Sequence, residues 1–130
     1  MQFSASDNIE NEISRVVWNI CLQMHRELGP GLFESVYEEI LFSELQNWGF
    51  ELERQKTIPI KFRDREFGKA FKADIIVADL VILEIKSVEA INEVHIAQMI
   101  TYLKISNCKL GYVINFNTVK LQNGIRRIIL

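Results

Sequence analysis

Cysteine, proline and glycine are scarce in this sequence, which has two, two and six of them in 130 residues. The two cysteines, Cys21 and Cys108, are far apart and lack metal-type spacing, so we expect reduced thiols and a cytoplasmic protein. So few prolines and glycines argue against a disordered or fibrous chain. A net charge of -2 excludes a uniformly basic coat for nucleic acid but allows a local basic surface.

Long apolar runs are missing too. No stretch of about 20 apolar residues exists, so no membrane span is expected. No apolar secretory segment follows Met1, so no leader is expected. The composition is globular, with 48% hydrophobic and 25% charged residues, and we expect one domain over residues 1–130.

Apolar periodicity predicts helices in the first part of the chain and strands after residue 51. The helical connection before the fourth strand allows that strand to lie parallel to the third. Asn123-Gly124 suits a tight primed turn and predicts a final hairpin. The predicted helices span 8–28, about 31–48 and 91–105, and the predicted strands span 52–62, about 66–77, 81–87, 110–116, 119–121 and 125–129.

The stretch 71–86, FKADIIVADLVILEIK, carries Asp74, Glu84 and Lys86 among apolar residues. Burying an unpaired charge is expensive, so these groups need a partner or a metal. Strand alternation puts Glu84 and Lys86 on one face. Two carboxylates and the carbonyl of Ile85 would supply the hard oxygen ligands that Mg²⁺ prefers. An exposed Glu84–Lys86 ion pair, with Asp74 merely ending a strand, is the alternative interpretation.

The link between the second and third strands decides whether the two carboxylates meet. A two-residue loop at Ala78-Asp79 would put Asp74 and Glu84 on opposite faces of the sheet. A three-residue loop at 78–80, or a bulge, would bring them together. The metal-site hypothesis therefore requires an odd-length loop or a bulge.

Residues 31–37, GLFESVY, reproduce the GxxExxY signature, and about 25–128 resembles the GxxExxY protein family, a branch of the PD-(D/E)XK nuclease-like superfamily. This resemblance implies an α/β, restriction-endonuclease-like fold with three layers, in which helices flank a mixed central sheet. It also implies Mg²⁺-dependent hydrolysis of nucleic-acid phosphodiester bonds, with Mn²⁺ as an alternative ion. Asp74 and Glu84 would be metal ligands, Lys86 the catalytic lysine and Glu34 the helix acid. Ala73 replaces the family's proline, at a position that varies.

The helix after the third strand resembles the family's next helix, where a glutamine commonly supports the site. Gln98 is the matching catalytic candidate, and His95, Gln98 and Tyr102 share one helical stripe. Tyr37, His95, Tyr102 and Lys72 are the candidate substrate-binding residues. Two alternatives stay open: His95 as a surface or packing histidine, and both tyrosines as core aromatics whose hydroxyls reach a polar partner.

Basic residues concentrate in the first two strands, whereas the helical part before them is acidic. One side of the molecule can then approach a phosphate backbone, although a solubilising strand surface explains the pattern equally well. Glu38 and Glu39 are interpreted as a solvated helix face. The basic residues are Arg54, Lys56, Lys61, Arg63, Arg65, Lys69 and Lys72.

Two functions follow from these observations. The first is a Mg²⁺-dependent nuclease acting on DNA or RNA. The second is a non-catalytic protein of the nuclease fold that binds nucleic acid or takes part in an assembly. We expect no added recognition segment, and a homodimer or another partner is then expected to help hold the substrate.

Overall fold

The computed structural model describes residues 5–130, with side chains from Ile9 onward. It contains three α-helices, five strands and a short 3₁₀ helix. Two helices precede three consecutive strands, and the third helix separates the third strand from the fourth. The bounds are α1 Ala5–Leu28, α2 Glu34–Asn47, β1 Leu52–Phe62, β2 Arg65–Val77, β3 Val81–Lys86, α3 Glu93–Ser106, β4 Leu110–Asn115, the 3₁₀ helix Leu121–Gly124 and β5 Ile125–Ile129.

The five strands form one mixed sheet in the order β1-β2-β3-β4-β5. The first three strands are an antiparallel meander, as their short links predict. β4 runs parallel to β3 because α3 carries the chain back across the sheet, and this prediction is also confirmed. β5 then pairs antiparallel with β4 and forms the second edge.

Helices cover both faces of the sheet. On one face, α1 and α2 bury residues such as Ile13 and Leu41 against Ile75, Leu83 and other sheet residues. On the other face, Met99 and Leu103 of α3 pack in a second apolar cluster with the sheet. The result is the three-layer α/β, restriction-endonuclease-like architecture that the resemblance implies, and this prediction is confirmed. No helix in the described part of the chain is long and apolar enough to cross a membrane.

The predicted terminal hairpin is wrong. Residues 119–121 form no strand, and β5 pairs instead with β4 from Leu110↔Ile129 to Ile114↔Ile125. A Cβ at Gly124 would clash with the carbonyl oxygen of Asn115. Gly124 therefore allows a close backbone approach and does not supply a primed turn.

The hairpin of β1 and β2 extends well beyond the rest of the sheet. β3 pairs with β2 only over 75–77, whereas β1 and β2 pair out to Phe62↔Arg65. The pairing shifts register between Ile58 and Ile60. We call residues 59–70, which include the turn at Arg63 and Asp64, the arm; all of them except Ile60 are exposed.

Candidate functional site

The loop between β2 and β3 has the odd length that the site requires. Val77 pairs with Val81, so the loop consists of residues 78–80. Ala78 and Asp79 have positive φ angles of 53° and 58°, and the Leu80 N–H donates to the Val77 carbonyl at 3.0 Å. This tight turn with one extra residue sets the register that brings Asp74 and Glu84 opposite each other.

Side chains replace the backbone ladder where these two acids meet. The last regular pair of β2 and β3 is Ile75↔Leu83. Beyond it, the Asp74 N–H donates to Glu84 Oε1 at 3.2 Å, and the Ile85 N–H donates to Asp74 Oδ2 at 2.9 Å. The two carboxyl groups are thus held together by hydrogen bonds that each makes to the other strand.

β2 is irregular at the same point. Ala73 packs in the cluster on the α3 side, whereas Ile75 packs against α1 and α2, so the buried side of the strand changes at Asp74. Opposite Asp74 on β1, Gln55 has a positive φ of 53°, and its Nε2 donates to Asp74 Oδ1 at 3.2 Å. The irregular backbone therefore directs Gln55 and Asp74 toward each other.

Burial without a matching cation makes this acid pair electrostatically unfavourable. Burial raises the pKa of Asp74 to about 6, and the negative charges of Glu38 and Glu34 add to the rise. Burial raises the pKa of Glu84 to about 8, and the negative charge of Asp74 adds to it. Lys86 acts in the opposite direction on Glu84 but does not outweigh these effects. The pair therefore favours a bound proton or a bound cation.

Lys86 and Tyr102 lie near the acid pair. Lys86 is half-buried at the end of β3, on the same face as Glu84. Tyr102 of α3 stacks on Phe71 with ring centroids 3.9 Å apart. Burial raises the pKa of Tyr102, and the negative charges of Glu84 and Asp74 raise it further. The hydroxyl of Tyr102 is therefore within electrostatic range of both acids.

The interpretation of Glu38 as part of a solvated helix face is wrong. Glu38 is only 6% exposed and accepts a hydrogen bond from Arg54 Nε at 2.8 Å and one from Gln55 Nε2 at 2.7 Å. Gln55 therefore bridges Glu38 and Asp74. Glu39, in contrast, is exposed as predicted. The four-residue spacing between Glu34 and Glu38 places both on one helix face and was the available signal.

Glu34 lies beside the acid pair in an open cleft of about 650 Å³. It is exposed at the first turn of α2, and its charge contributes to the raised pKa of Asp74. The cleft thus gives solvent access to one side of the acid pair. Its lining residues are Phe33, Glu34, Ser35, Glu38, Arg54, Gln55 and Asp74.

Tyr37 lies in the core, which agrees with its interpretation as a core aromatic whose hydroxyl reaches a polar partner. Its side chain is 0% exposed and stacks on Phe116 with centroids 4.4 Å apart. Its hydroxyl donates to the Gly29 carbonyl at 2.6 Å and accepts from the Leu32 N–H at 3.2 Å. Tyr37 therefore fixes the loop before α2, as a core aromatic with a satisfied hydroxyl does.

The other predicted site residues are His95, Gln98 and Lys72. His95 Nδ1 accepts a hydrogen bond from the Asn92 N–H at 3.2 Å and so caps the start of α3. Gln98 is exposed on α3, and Lys72 is exposed on β2. Within the described residues, none of the three forms a hydrogen bond to Asp74 or Glu84.

The donor atoms of the acid pair fit a hard divalent cation. Carboxylate oxygens are the ligands that Mg²⁺ and Mn²⁺ prefer, and the pKa values of both acids are raised although Lys86 acts in the opposite direction on Glu84. Over residues 5–130, no group of three or more His, Cys, Asp and Glu side chains is arranged to hold a metal. Water or backbone oxygen would have to complete the coordination of an ion held by Asp74 and Glu84.

One protein-family model, described as PD-(D/E)XK nuclease superfamily, matches residues 11–128. The match includes α2, the acid pair and α3. A comparison with curated proteins gave no match, and a comparison with solved structures gave none either. The family assignment therefore rests on the pattern of the chain over nearly its full extent.

Proposed function

The chain belongs to the PD-(D/E)XK nuclease superfamily, and on that premise we propose that it hydrolyses phosphodiester bonds of nucleic acid with Mg²⁺ as its cofactor. Membership indicates a nuclease-type function, and nucleases of this superfamily generally use divalent metals. One observation carries the proposal: Asp74 and Glu84 face each other through reciprocal contacts while burial raises the pKa of each.

Asp74, Glu84 and the backbone carbonyl of Ile85 are the proposed metal ligands. Asp74 keeps free lone pairs, because each of its oxygens accepts one hydrogen bond and a carboxylate offers about four acceptor positions. When bound, the ion would stabilise negative charge on a phosphate and lower the pKa of a water molecule. Mn²⁺ meets the same requirements and is the alternative ion.

Lys86 is the proposed catalytic lysine. Its Nζ carries a positive charge on the face that Glu84 occupies. From there its ammonium group would donate hydrogen bonds to the phosphate oxygens and to the attacking water, and its positive charge would favour release of the proton of that water to bulk solvent. Glu34, exposed in the cleft, would hold that water from the side of α2.

Other residues would support the substrate and the acids. Tyr102 and Lys72 are proposed substrate contacts, since the first lies near the acids and the second is exposed on β2 close to Asp74. His95 and Gln98 keep their proposed roles on α3, with Gln98 supporting the site. Gln55 is a positioning residue that sequence reasoning missed, because it holds Asp74 against Glu38.

One observation favours the second function, nucleic-acid binding or assembly without turnover. The basic side chains of the exposed hairpin of β1 and β2 can bind phosphate groups whether or not a phosphodiester bond is cut. A protein of this kind would keep the fold and bind its partner without cutting it. A cytoplasmic location, a single domain over 1–130 and a homodimer complete the proposal.

A cleavage assay separates the two functions. Labelled single- and double-stranded DNA and RNA would be incubated with wild type, Asp74→Ala and Lys86→Ala, with Mg²⁺, Mn²⁺ or EDTA. Glu39→Ala, an exposed acid on α2, is the matched control. We expect metal-dependent cleavage that both site variants lose by about a hundredfold or more and that Glu39→Ala retains. Cleavage unchanged in both site variants would contradict the mechanism, and metal binding without cleavage would favour the second function.

A further inference from the structure

The arm carries two exposed aromatic rings on one of its faces. Phe62 is 59% exposed and Phe67 is 46% exposed, although phenylalanine is usually buried. Phe62 pairs with Arg65, and Ile60 pairs with Phe67. Because side chains alternate along a strand, these four residues share a face, and the two rings are diagonal neighbours about 7 Å apart.

Each ring has an arginine over it. The guanidinium carbon of Arg63 lies 5.1 Å from the ring centroid of Phe62, and that of Arg65 lies 5.5 Å from the centroid of Phe67. A guanidinium in this position interacts favourably with the ring and keeps donors for an anion. The arm therefore offers two units in which an aromatic ring adjoins a phosphate-binding group.

The positive charge of the chain is concentrated around these rings. Residues 54–72 contain seven basic and two acidic side chains, whereas the chain as a whole has a net charge of -2. The remainder of the chain is therefore acidic, and the hairpin is its positive region. A second copy of the arm would bring like charges together, which disfavours self-association through these rings.

We propose that the arm binds single-stranded nucleic acid, with unpaired bases stacked on Phe62 and Phe67 and with the adjacent phosphates bound by Arg63 and Arg65. The proposal rests on the proposed function in taking nucleic acid as the partner. Stacking on exposed rings requires bases whose faces are free, and paired bases inside a duplex do not offer them. The chemistry of the arm therefore favours unpaired DNA or RNA over a regular duplex.

The arm is close enough to the acid pair for one bound nucleic-acid strand to reach both. Phe67 and Asp74 lie on the same strand, β2, seven residues apart. At about 3.3 Å per residue they are at most about 23 Å apart. Lys72 is exposed between them and supplies a further positive charge along this path. A nucleic-acid strand that is bound at the arm would thus extend toward Glu84 and Lys86.

Fluorescence anisotropy in EDTA tests the proposal without cleavage. The probes are labelled single-stranded DNA and RNA of about 20 nucleotides, longer than single-strand site sizes of about 4–16 nucleotides, and the corresponding duplexes. We expect the Phe62→Ala/Phe67→Ala variant to bind single strands more than about tenfold more weakly than wild type. Phe62→Leu/Phe67→Leu, which keeps apolar side chains but removes the rings, should lose a similar factor.

Matched controls lie outside the arm. Trp48→Ala removes an aromatic side chain of nearly the same exposure, 58%, at the end of α2 and should leave binding unchanged. Arg63→Ala/Arg65→Ala should reduce the slope of log K against log salt by about 1.4, since each single-strand phosphate contact contributes about 0.7. Arg126→Ala/Arg127→Ala, an exposed basic pair on β5, should leave the slope unchanged. Thermal unfolding of each variant checks that the fold is kept.

The outcomes separate this inference from the proposed function. Wild-type affinity in both phenylalanine variants, or tighter binding of duplex than of single strands, overturns the role of the arm even if the protein cleaves nucleic acid. Loss of binding in these variants supports the arm even if no substrate is cleaved, and the catalytic proposal then fails alone. A wild-type protein that neither binds nor cleaves any probe overturns both.

Discussion

Two buried carboxylates of this molecule have nearly equal exposure but opposite surroundings. Glu38 is 6% exposed and Glu84 is 7% exposed. Glu38 forms a salt bridge with Arg54 at 2.8 Å and accepts a second hydrogen bond from Gln55. Glu84 faces another carboxyl group, Asp74, and burial together with that neighbour raises its pKa to about 8.

The comparison separates a structural acid from a candidate functional one. A buried carboxylate that has an arginine and an amide as partners stabilises the packing of α2 against β1. A buried carboxylate beside a second acid costs free energy unless a proton or cation neutralises it. Burial alone therefore does not identify the site, whereas the partners of each acid do.

The largest expected effect is on catalysis. Glu84→Gln removes a proposed metal ligand but keeps the shape of the side chain, so cleavage should fall by about a hundredfold or more. Glu38→Gln changes the compensated acid in the same way and should stay within about tenfold of wild type. Initial rates at saturating Mg²⁺ measure both. Equal losses in the two variants would abolish the distinction between the acids.

The second largest expected effect is on how the stability of wild type and of Glu84→Gln depends on pH. In metal-free protein the pKa of Glu84 is raised on folding, so its contribution to stability is fully present below about pH 4 and is lost as the pH rises toward 8. Glu84→Gln removes this loss, and we expect it to be more stable than wild type by about 2 kcal/mol at pH 8. Urea unfolding at pH 5 and pH 8 measures the difference. If the variant were no more stable than wild type at pH 8, ionised Glu84 would not destabilise the folded protein.

Removing the cation beside Glu38 should make this acid unfavourable, as Glu84 is in the native protein. Arg54→Ala leaves Glu38 buried without its cation, so the free energy of unfolding should fall by about 1–2 kcal/mol, since Arg54 itself is partly exposed. The double variant Arg54→Ala/Glu38→Gln should recover part of this loss. Chemical denaturation at pH 7 gives the values. Full stability in Arg54→Ala would mean that the ion pair contributes nothing and that the comparison has no energetic basis.

The sequence predicted the strand carrying Glu84 and Lys86 well, because apolar alternation determines which side chains share a face. It also identified the odd-length loop as the condition for bringing Asp74 and Glu84 together, a condition that the turn at 78–80 meets. Residue spacing could not decide between the two loop lengths, since both suit Ala78-Asp79. That choice depends on the backbone of the turn, where both residues have positive φ angles.

The wrong predictions share one physical cause, which is tertiary packing that local patterns do not contain. Glu38 looked solvated because its partners, Arg54 and Gln55, lie on another element. The position of Tyr37 in the core was likewise left open between two interpretations, because its stacking on Phe116 joins distant parts of the chain. Asn123-Gly124 suggested a turn, but the contact of Gly124 with Asn115 requires glycine for a different reason.

The smallest expected effect concerns Gln55, which connects the two acids. Its amide donates to Glu38 Oε1 and to Asp74 Oδ1. Gln55→Ala frees Asp74 to move, and we expect Mg²⁺ affinity to fall by about tenfold, as is usual when a group that orients a metal ligand is removed. Thr57→Ala, an exposed change on the same strand, is the control. Unchanged Mg²⁺ affinity in Gln55→Ala would show that Asp74 is positioned without the amide.

Calorimetric titration of Mg²⁺ and Mn²⁺ into metal-free protein tests the central claim most directly. We expect both ions to bind wild type with release of protons near pH 7, because a cation displaces the proton that the raised pKa values of Asp74 and Glu84 favour. Binding should be lost in Asp74→Ala and Glu84→Gln and kept in Glu38→Gln. Binding of equal strength in all four proteins, or none in wild type, would contradict a cation site at the acid pair.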